Sequence, residues 1–204
     1  MPKASPEPNL SLLSAHYTET FSLLKLAVEK RDRLFLYILG TIFLLLLYMS
    51  APSALGELLN SFIASQTGAA PGGTTLVDVS FIGMILLLGL LSFSHTYFQT
   101  VLHIERQYNY VYELEEQLSR HFDGRAFIRE GTHYKRNKRF FSRWTKFIFW
   151  FLFPLLYGIF IAAWLVFLFR QFPPFSLYWI VGLLITLGIL ISLSLYLVAL
   201  VKKR

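Results

Sequence analysis

The 204-residue sequence contains no cysteine, and charged residues make up only 15% of it. The absence of cysteine excludes a disulfide framework and a thiolate metal site. His95 and His103 lie two helical turns apart, and no carboxylate is placed beside them to complete a metal site. Neither a metal ion nor a cofactor is therefore expected.

Hydrophobic residues make up 55% of the chain and come in long blocks, as is typical of a membrane protein. A bilayer core of about 30 Å needs roughly 17–25 apolar residues per helix. The sequence predicts an all-α membrane protein with four transmembrane helices, the first of which is a retained anchor rather than a cleaved signal, because a long segment containing acids precedes it. The four predicted spans, which contain no Asp, Glu, Lys or Arg, are 34–51, 79–101, 147–169 and 177–200.

Lysine and arginine are distributed unevenly between the predicted loops. Segment 52–78 has none, segment 102–146 has ten, and both chain ends are basic; Arg170 is the exception on the other side. This asymmetry predicts a multi-pass protein with both termini in the cytoplasm. The predicted order is a cytoplasmic N-terminal helix (1–33), a first hairpin (34–101) with an outside loop (52–78), a helical stalk with a basic loop (102–146), and a second hairpin with a basic tail (147–204).

The outside loop is expected to hold a short helix around SALGELLNSFI, followed by the turn-rich stretch QTGAAPGGTT at 66–75.

The second span is expected to continue as one helix into the cytoplasm, because no proline occurs between Ser80 and Phe122. Asp123 and Gly124 are expected to end it. Its extension and the N-terminal segment each carry an apolar stripe with steps of three and four, so the stripes bury against each other or against other copies. The stripes are Tyr97, Val101, Ile104, Tyr108, Val111, Glu115, Leu118 and Phe122 in the extension, and Leu10, Leu13, Tyr17, Phe21, Leu24 and Val28 in the N-terminal segment.

Another side of the same helix is polar from mid-membrane to the cytoplasmic end. Polar side chains at membrane depth seldom face lipid. They either form hydrogen bonds between helices or line a pore, where they replace part of the water around an ion. The predicted pore-lining residues are Ser92, His95, Thr96, Gln99, His103 and Arg106.

The stretch EGTHYKRNKRFFSRWTK, residues 130–146, concentrates positive charge before the third span. Such charge orients a membrane protein and attracts anionic lipid headgroups. The other interpretation is a site for a phosphate-bearing nucleotide or oligonucleotide, since arginine forks onto phosphate and aromatic rings stack on bases. The residues predicted for that site are Arg120, Arg125, Arg129, His133, Tyr134, Lys135, Arg136, Lys138, Arg139 and Arg143.

Enzymatic activity is not expected. The sequence suggests no Ser, His and acid cluster for a nucleophile with its base, and the spans hold no Asp or Glu for proton-coupled chemistry.

The segment LEEQLSRHFDGRAFIREGTHY (114–134), leading through FFSRW to Phe153 and Pro154, resembles a cytoplasmic loop of small bacterial four-span proteins. The general plan is similar to membrane effectors of bacterial anti-phage defence, those with SLATT-type helical domains and the membrane partner of the Hailong system. The resemblance implies a homo-oligomeric channel in the bacterial inner membrane, opened or closed by a nucleotide-type ligand. A tetramer is favoured. The alternative is a non-conducting adaptor that recruits a cytoplasmic partner protein through its stalk.

Overall fold

The computed structural model of the chain describes residues 7–67, 78–120, 144 and 147–202. Within these residues the fold is helical and contains no strand. Four of the helices, α1, α3, α4 and α5, are long and apolar enough to cross a membrane, which confirms the predicted number of spans. The helices are α1 (Glu7–Ser50), α2 (Pro52–Thr67), α3 (Val79–Ser119), a π-helical turn (Ile148–Leu152), α4 (Phe153–Gln171) and α5 (Leu177–Val201).

Two proline residues shape the helices: Pro52 begins α2, and Pro154 follows a widened π-helical turn. Pro52 begins α2, where its missing N–H is no loss, and α2 confirms the short helix predicted after the first span. The π-helical turn precedes Pro154, and within it the Phe153 N–H donates to the Ile148 carbonyl. Because proline cannot donate to the residue four before it and its ring crowds that carbonyl, a widened turn at this point relieves the clash.

The link between α4 and α5 is a tight turn. Pro173 and Pro174 end α4, and the Ser176 N–H donates to the Pro173 carbonyl. Phe175 adopts a left-handed backbone with φ of 66°. The Ser176 side chain then accepts a hydrogen bond from the Trp179 N–H and caps α5.

The described chain divides into two compact units. The helix-pair unit comprises 7–33, 99–120, 144 and 147–153, and the four-helix unit comprises 34–67, 78–98 and 154–202. Both α1 and α3 contribute residues to each unit.

The helix-pair unit is held by the two apolar stripes. Leu24 of α1 is buried together with Ile104 and Val111 of α3, and Tyr17, Ala27 and Val28 pack against them. Of the two arrangements predicted for the stripes, the structure shows the pair within one chain. Association between copies stays a prediction.

The predicted stripe on α3 needs one correction. Tyr108 is exposed, whereas Leu114, outside the stripe, is buried. A strict seven-residue repeat drifts around a straight helix with 3.6 residues per turn, so Tyr108 rotates away from the centre of the buried face. Phe122, Asp123 and Gly124 lie outside the described residues.

In the four-helix unit, α3 and α5 run parallel and meet in a constant register. A methyl group on Gly182 would lie 3.3 Å from Met84 Cε, and one on Gly188 would lie 3.3 Å from Leu91 Cδ2. Near the helix ends Phe98 stacks on Tyr196, with ring centroids 4.6 Å apart. Small residues on α5 thus allow the two backbones to approach closely, as is common between membrane helices.

The centre of the four-helix unit is aromatic. Trp164 of α4 is fully buried and its ring lies 6.3 Å from the ring of Tyr48 on α1. A methyl group on Gly83 of α3 would lie 2.7 Å from Tyr48 Cε1, so glycine is required for α3 to pass this ring. Tyr157 packs edge-on against Phe98. Large rings and glycines together fill the core.

Candidate functional site

The polar residues predicted to line a pore all lie on α3. The helix runs without interruption from Val79 to Ser119, as the absence of proline predicted. Residues three and four apart share one face of a helix, so the predicted pore-lining residues from Ser92 to Arg106 form one polar face of α3.

Within the four-helix unit the polar face begins at Ser92. Ser92 and His95 are exposed, and Thr96 is partly exposed. The Thr96 hydroxyl donates to the Ser92 carbonyl at 2.9 Å, a bond that satisfies the hydroxyl within the helix. The structure thus places all three on the surface of this unit rather than in its core.

His95 has a partner on α5. Its Nδ1 lies 3.2 Å from the Ser192 hydroxyl oxygen. One turn earlier, Gly188 brings α5 close to Leu91, and because the helices are parallel the next turn brings Ser192 to His95. One polar side chain of the face therefore forms the hydrogen bond between helices that was one of the two interpretations of the polar residues.

Within the helix-pair unit, Gln99, His103 and Arg106 are exposed. The opposite side of this part of α3 carries Ile104 and Val111 and is buried against α1. The three polar side chains consequently remain on the outer surface of the pair.

The polar face of α3 extends beyond Arg106, the last of the residues predicted to line a pore. Tyr110, Glu113 and Gln117 continue the same spacing of three and four, and all three are exposed. The Tyr110 hydroxyl lies 2.8 Å from His16 Nε2 of α1, and the two rings meet edge to face. The spacing itself was the signal that could have found these residues.

A second polar contact in the helix-pair unit is buried. Glu115 was the one polar residue of the predicted apolar stripe, and it is only 4% exposed. The Tyr17 hydroxyl donates to Glu115 Oε1 at 3.0 Å. A buried carboxylate needs hydrogen bonds, and this donor from α1 makes Glu115 compatible with the paired face.

Of the residues predicted to bind an anionic ligand, the structure describes only Arg120. Its guanidinium donates to Glu116 at 2.9 Å, an exposed ion pair of residues four apart. Such an exposed ion pair is weak in water, so Arg120 could exchange Glu116 for another anionic partner at little cost. The others lie outside the described residues: Arg125, Arg129, His133, Tyr134, Lys135, Arg136, Lys138, Arg139 and Arg143.

Aromatic side chains follow the basic segment at the start of the third predicted span. Trp144 stacks on Phe147, and Phe147 on Phe151, with centroids 5.6 and 5.4 Å apart. Arg31 of α1 lies 5.8 Å above the Phe149 ring, within reach of a cation–π interaction. Exposed aromatic rings at a span end are typical of the membrane interface.

In the four-helix unit, Asp78 directly precedes α3. Its Oδ1 accepts from the Ser80 N–H, and its Oδ2 accepts from the Tyr178 hydroxyl of α5. The hydrogen bond from Tyr178 is the main reason that the pKa of the Asp78 carboxyl lies below its usual value. This contact joins residues a hundred positions apart, and no local pattern signals it.

Within the part of the chain that the structure describes, no three His, Asp or Glu side chains are close enough together to hold a metal ion. Comparisons of the chain with protein-family models, with curated proteins and with solved structures give no match.

Proposed function

We propose that the chain is the subunit of a homo-oligomeric channel whose aqueous path is lined by the polar face of α3. In this proposal the channel lies in the bacterial inner membrane with both termini in the cytoplasm, and the basic segment binds an anionic, nucleotide-type ligand that controls it. A role in anti-phage defence is part of the proposal because the general four-span plan is similar to that of small membrane effectors.

One observation carries the proposal: α3 exposes polar side chains on a membrane-crossing helix whose other faces are packed. Ser92 and His95 are at the surface of the four-helix unit, and only 28% of the most apolar stretch of α3 is buried within the chain. Hydrocarbon offers no partners to polar groups. Other copies of α3, with water between them, would give this polar face surroundings other than hydrocarbon.

The exposed face of α5 provides the contrast. It is apolar except for Ser194 and suits direct contact with lipid. On α3 the exposed face changes from apolar to polar at Ser92. The α5 residues concerned are Leu177, Ile180, Leu184, Leu187, Ile191, Leu195 and Val198.

Control by an anionic ligand is supported by charge alone. The chain has a formal net charge of +7, and ten of its basic residues fall in 102–146. In a regular oligomer these residues would form a ring of positive charge that concentrates anions.

The adaptor remains the second candidate, and one observation favours it. Leu12, Leu23 and Leu26 are exposed on the part of α1 that precedes the first span. A contiguous apolar patch exposed to water marks a surface where another protein docks. An adaptor would use this surface without conducting ions.

Ion flux through liposomes containing the purified protein tests the channel. We expect Ser92→Leu to reduce flux at least about tenfold, because an apolar ring tends to dewet a narrow path. Ser194→Leu is the matched control: Ser194 is also an exposed serine of a membrane-crossing helix, on α5. Equal flux in both variants, or no flux from the unmodified protein under any ligand condition, favours the adaptor.

The orientation has a separate test, made possible by the absence of cysteine. A cysteine at Thr67 is expected to react with an impermeant thiol reagent applied from outside the cell. Cysteines at Ser5 and Ser142 are expected to stay unlabelled, and their labelling would contradict cytoplasmic termini.

A further inference from the structure

The exposed face of α3 does not begin at Ser92. Three apolar side chains precede it with steps of four and three, and then four to Ser92: Phe81, Ile85 and Leu88, which are 55%, 51% and 54% exposed. At about 100° per residue these three side chains and Ser92 lie within about 60° of one another. All belong to the four-helix unit.

The rest of α3 in this unit is already in contact with other helices. Met84, Leu87 and Leu90 are buried, and Gly83 lies against Tyr48. The face carrying Phe81, Ile85 and Leu88 is therefore the one that α3 leaves uncovered within the chain.

We infer that Phe81, Ile85 and Leu88 form a hydrophobic gate that closes the channel on the side opposite the basic segment. The inference rests on the proposed function. If Ser92 and His95 face an axis shared with other copies, a straight helix carries the three apolar residues to the same axis. These three side chains then contact the same three side chains of neighbouring copies.

The chemistry of the three side chains suits a gate. An aromatic ring and two branched aliphatic chains offer water no hydrogen bonds, and a narrow ring of such groups excludes water and ions. The first polar groups beyond it, Ser92 and His95, hold water and so mark where the dewetted segment ends. Opening then requires either separation of the helices or a polar side chain in the ring.

Contact with lipid is the competing explanation for three exposed apolar residues. Leu184 of α5 is the matched comparison, since it is 62% exposed and the exposed α5 residues nearest to it on that face, Ile180, Leu187 and Ile191, are apolar. Replacement by serine should have different effects at the two positions. At a lipid-facing leucine it removes a contact with lipid, whereas at a gate leucine it lets water enter the narrow part of the channel.

The test compares Leu88→Ser with Leu184→Ser in liposomes without ligand. We expect the unmodified protein and Leu184→Ser to be closed and Leu88→Ser to leak ions at least about tenfold faster. Ile85→Ser is expected to act in the same direction, which guards against a folding defect peculiar to one variant.

A second measurement tests directly whether Leu88 lies close to Leu88 of a neighbouring copy. With no natural cysteine present, Leu88→Cys is expected to form a disulfide-linked dimer when membranes are treated with a mild oxidant, and Leu184→Cys is expected to stay monomeric. Equal cross-linking of both variants, or of neither, would place Leu88 against lipid and overturn the gate.

The outcomes separate the gate from the channel. If the unmodified protein conducts without ligand and Leu88→Ser does not change the flux, the gate is wrong while the channel stands. If neither the unmodified protein nor Leu88→Ser conducts with any nucleotide tested, the proposed channel fails, and the gate fails with it.

Discussion

The helix-pair unit and the four-helix unit both bury leucine and isoleucine, but only the four-helix unit adds buried tyrosine and tryptophan among the described residues. The pair buries leucine, isoleucine and valine and adds two hydrogen bonds between side chains of α1 and α3, Tyr17 to Glu115 and His16 to Tyr110. The four-helix unit buries tyrosine and tryptophan and uses glycine to bring helices together.

The difference follows from the surroundings expected for each unit. Water drives apolar side chains together in the helix pair, so a small aliphatic cluster is enough to join two helices. Lipid supplies no such drive, and membrane helices depend on close packing between large and small residues. Variants that act through packing should therefore affect the four-helix unit most, and variants that act through polar bonds should affect the helix pair.

The largest effect is expected from Gly83→Ala. The added methyl group would lie 2.7 Å from the Tyr48 ring, which is buried and rigid, so either the ring or α3 must shift. We expect a loss of about 1–3 kcal/mol in the free energy of unfolding. Thermal unfolding in detergent measures it.

Gly40→Ala is the control for that variant. No atom lies within 4 Å of the position that its methyl group would take, so alanine should be neutral or stabilise α1 by up to about 1 kcal/mol. Equal destabilisation by both variants would show that close packing at Gly83 is not what holds the four-helix unit.

A smaller effect is expected from Tyr17→Phe in the helix pair. The change removes the hydroxyl that donates to buried Glu115, and we expect a local loss of about 0.5–1.5 kcal/mol. Hydrogen exchange of α1 residues 11–30 reports this loss. Tyr110→Phe is the matched control, because its bond to His16 is exposed and should matter less. A larger loss in Tyr110→Phe would contradict the importance of burial here.

The apolar runs made the four spans predictable, and the paired stripes made the helix pair predictable, because both depend on local contrast in hydrophobicity. The register between α3 and α5 was not predictable. Gly182, Thr186 and Ile189 are buried, yet they lie in an apolar run that gives no contrast between buried and exposed positions. Contacts such as His95 with Ser192 depend on that register.

The polar face of α3 was predictable only in part. Its membrane portion stood out because serine and histidine are rare among apolar neighbours. Tyr110 and Glu113 did not stand out, since polar residues are ordinary in a segment expected to be in water. Only their exposure in the folded chain shows that Tyr110 and Glu113 belong to the polar face of α3.

The smallest effect concerns pH and the N-terminal end of α3. The folded-state pKa of Asp78 is lowered, chiefly by the Tyr178 hydroxyl, so its carboxylate stabilises the fold above its ordinary pKa of 3.8. That contribution is lost as pH falls through the lowered value. We expect Tyr178→Phe to lower the unfolding temperature at about pH 6 and to reduce its further decline toward about pH 2, because the folded-state pKa returns toward 3.8 and less of this contribution remains to be lost. An unchanged profile would show that the bond does not hold α3 to α5.

The central claim is that the polar face of α3 borders water shared between copies of the chain. Single-channel recording in planar bilayers tests it most directly, with cyclic nucleotides and short oligonucleotides added on the side of the basic segment. We predict discrete conductance steps in the unmodified protein that Ser92→Leu abolishes and Ser194→Leu preserves. Steps that persist unchanged in Ser92→Leu, or a silent bilayer under every ligand condition, would contradict the claim.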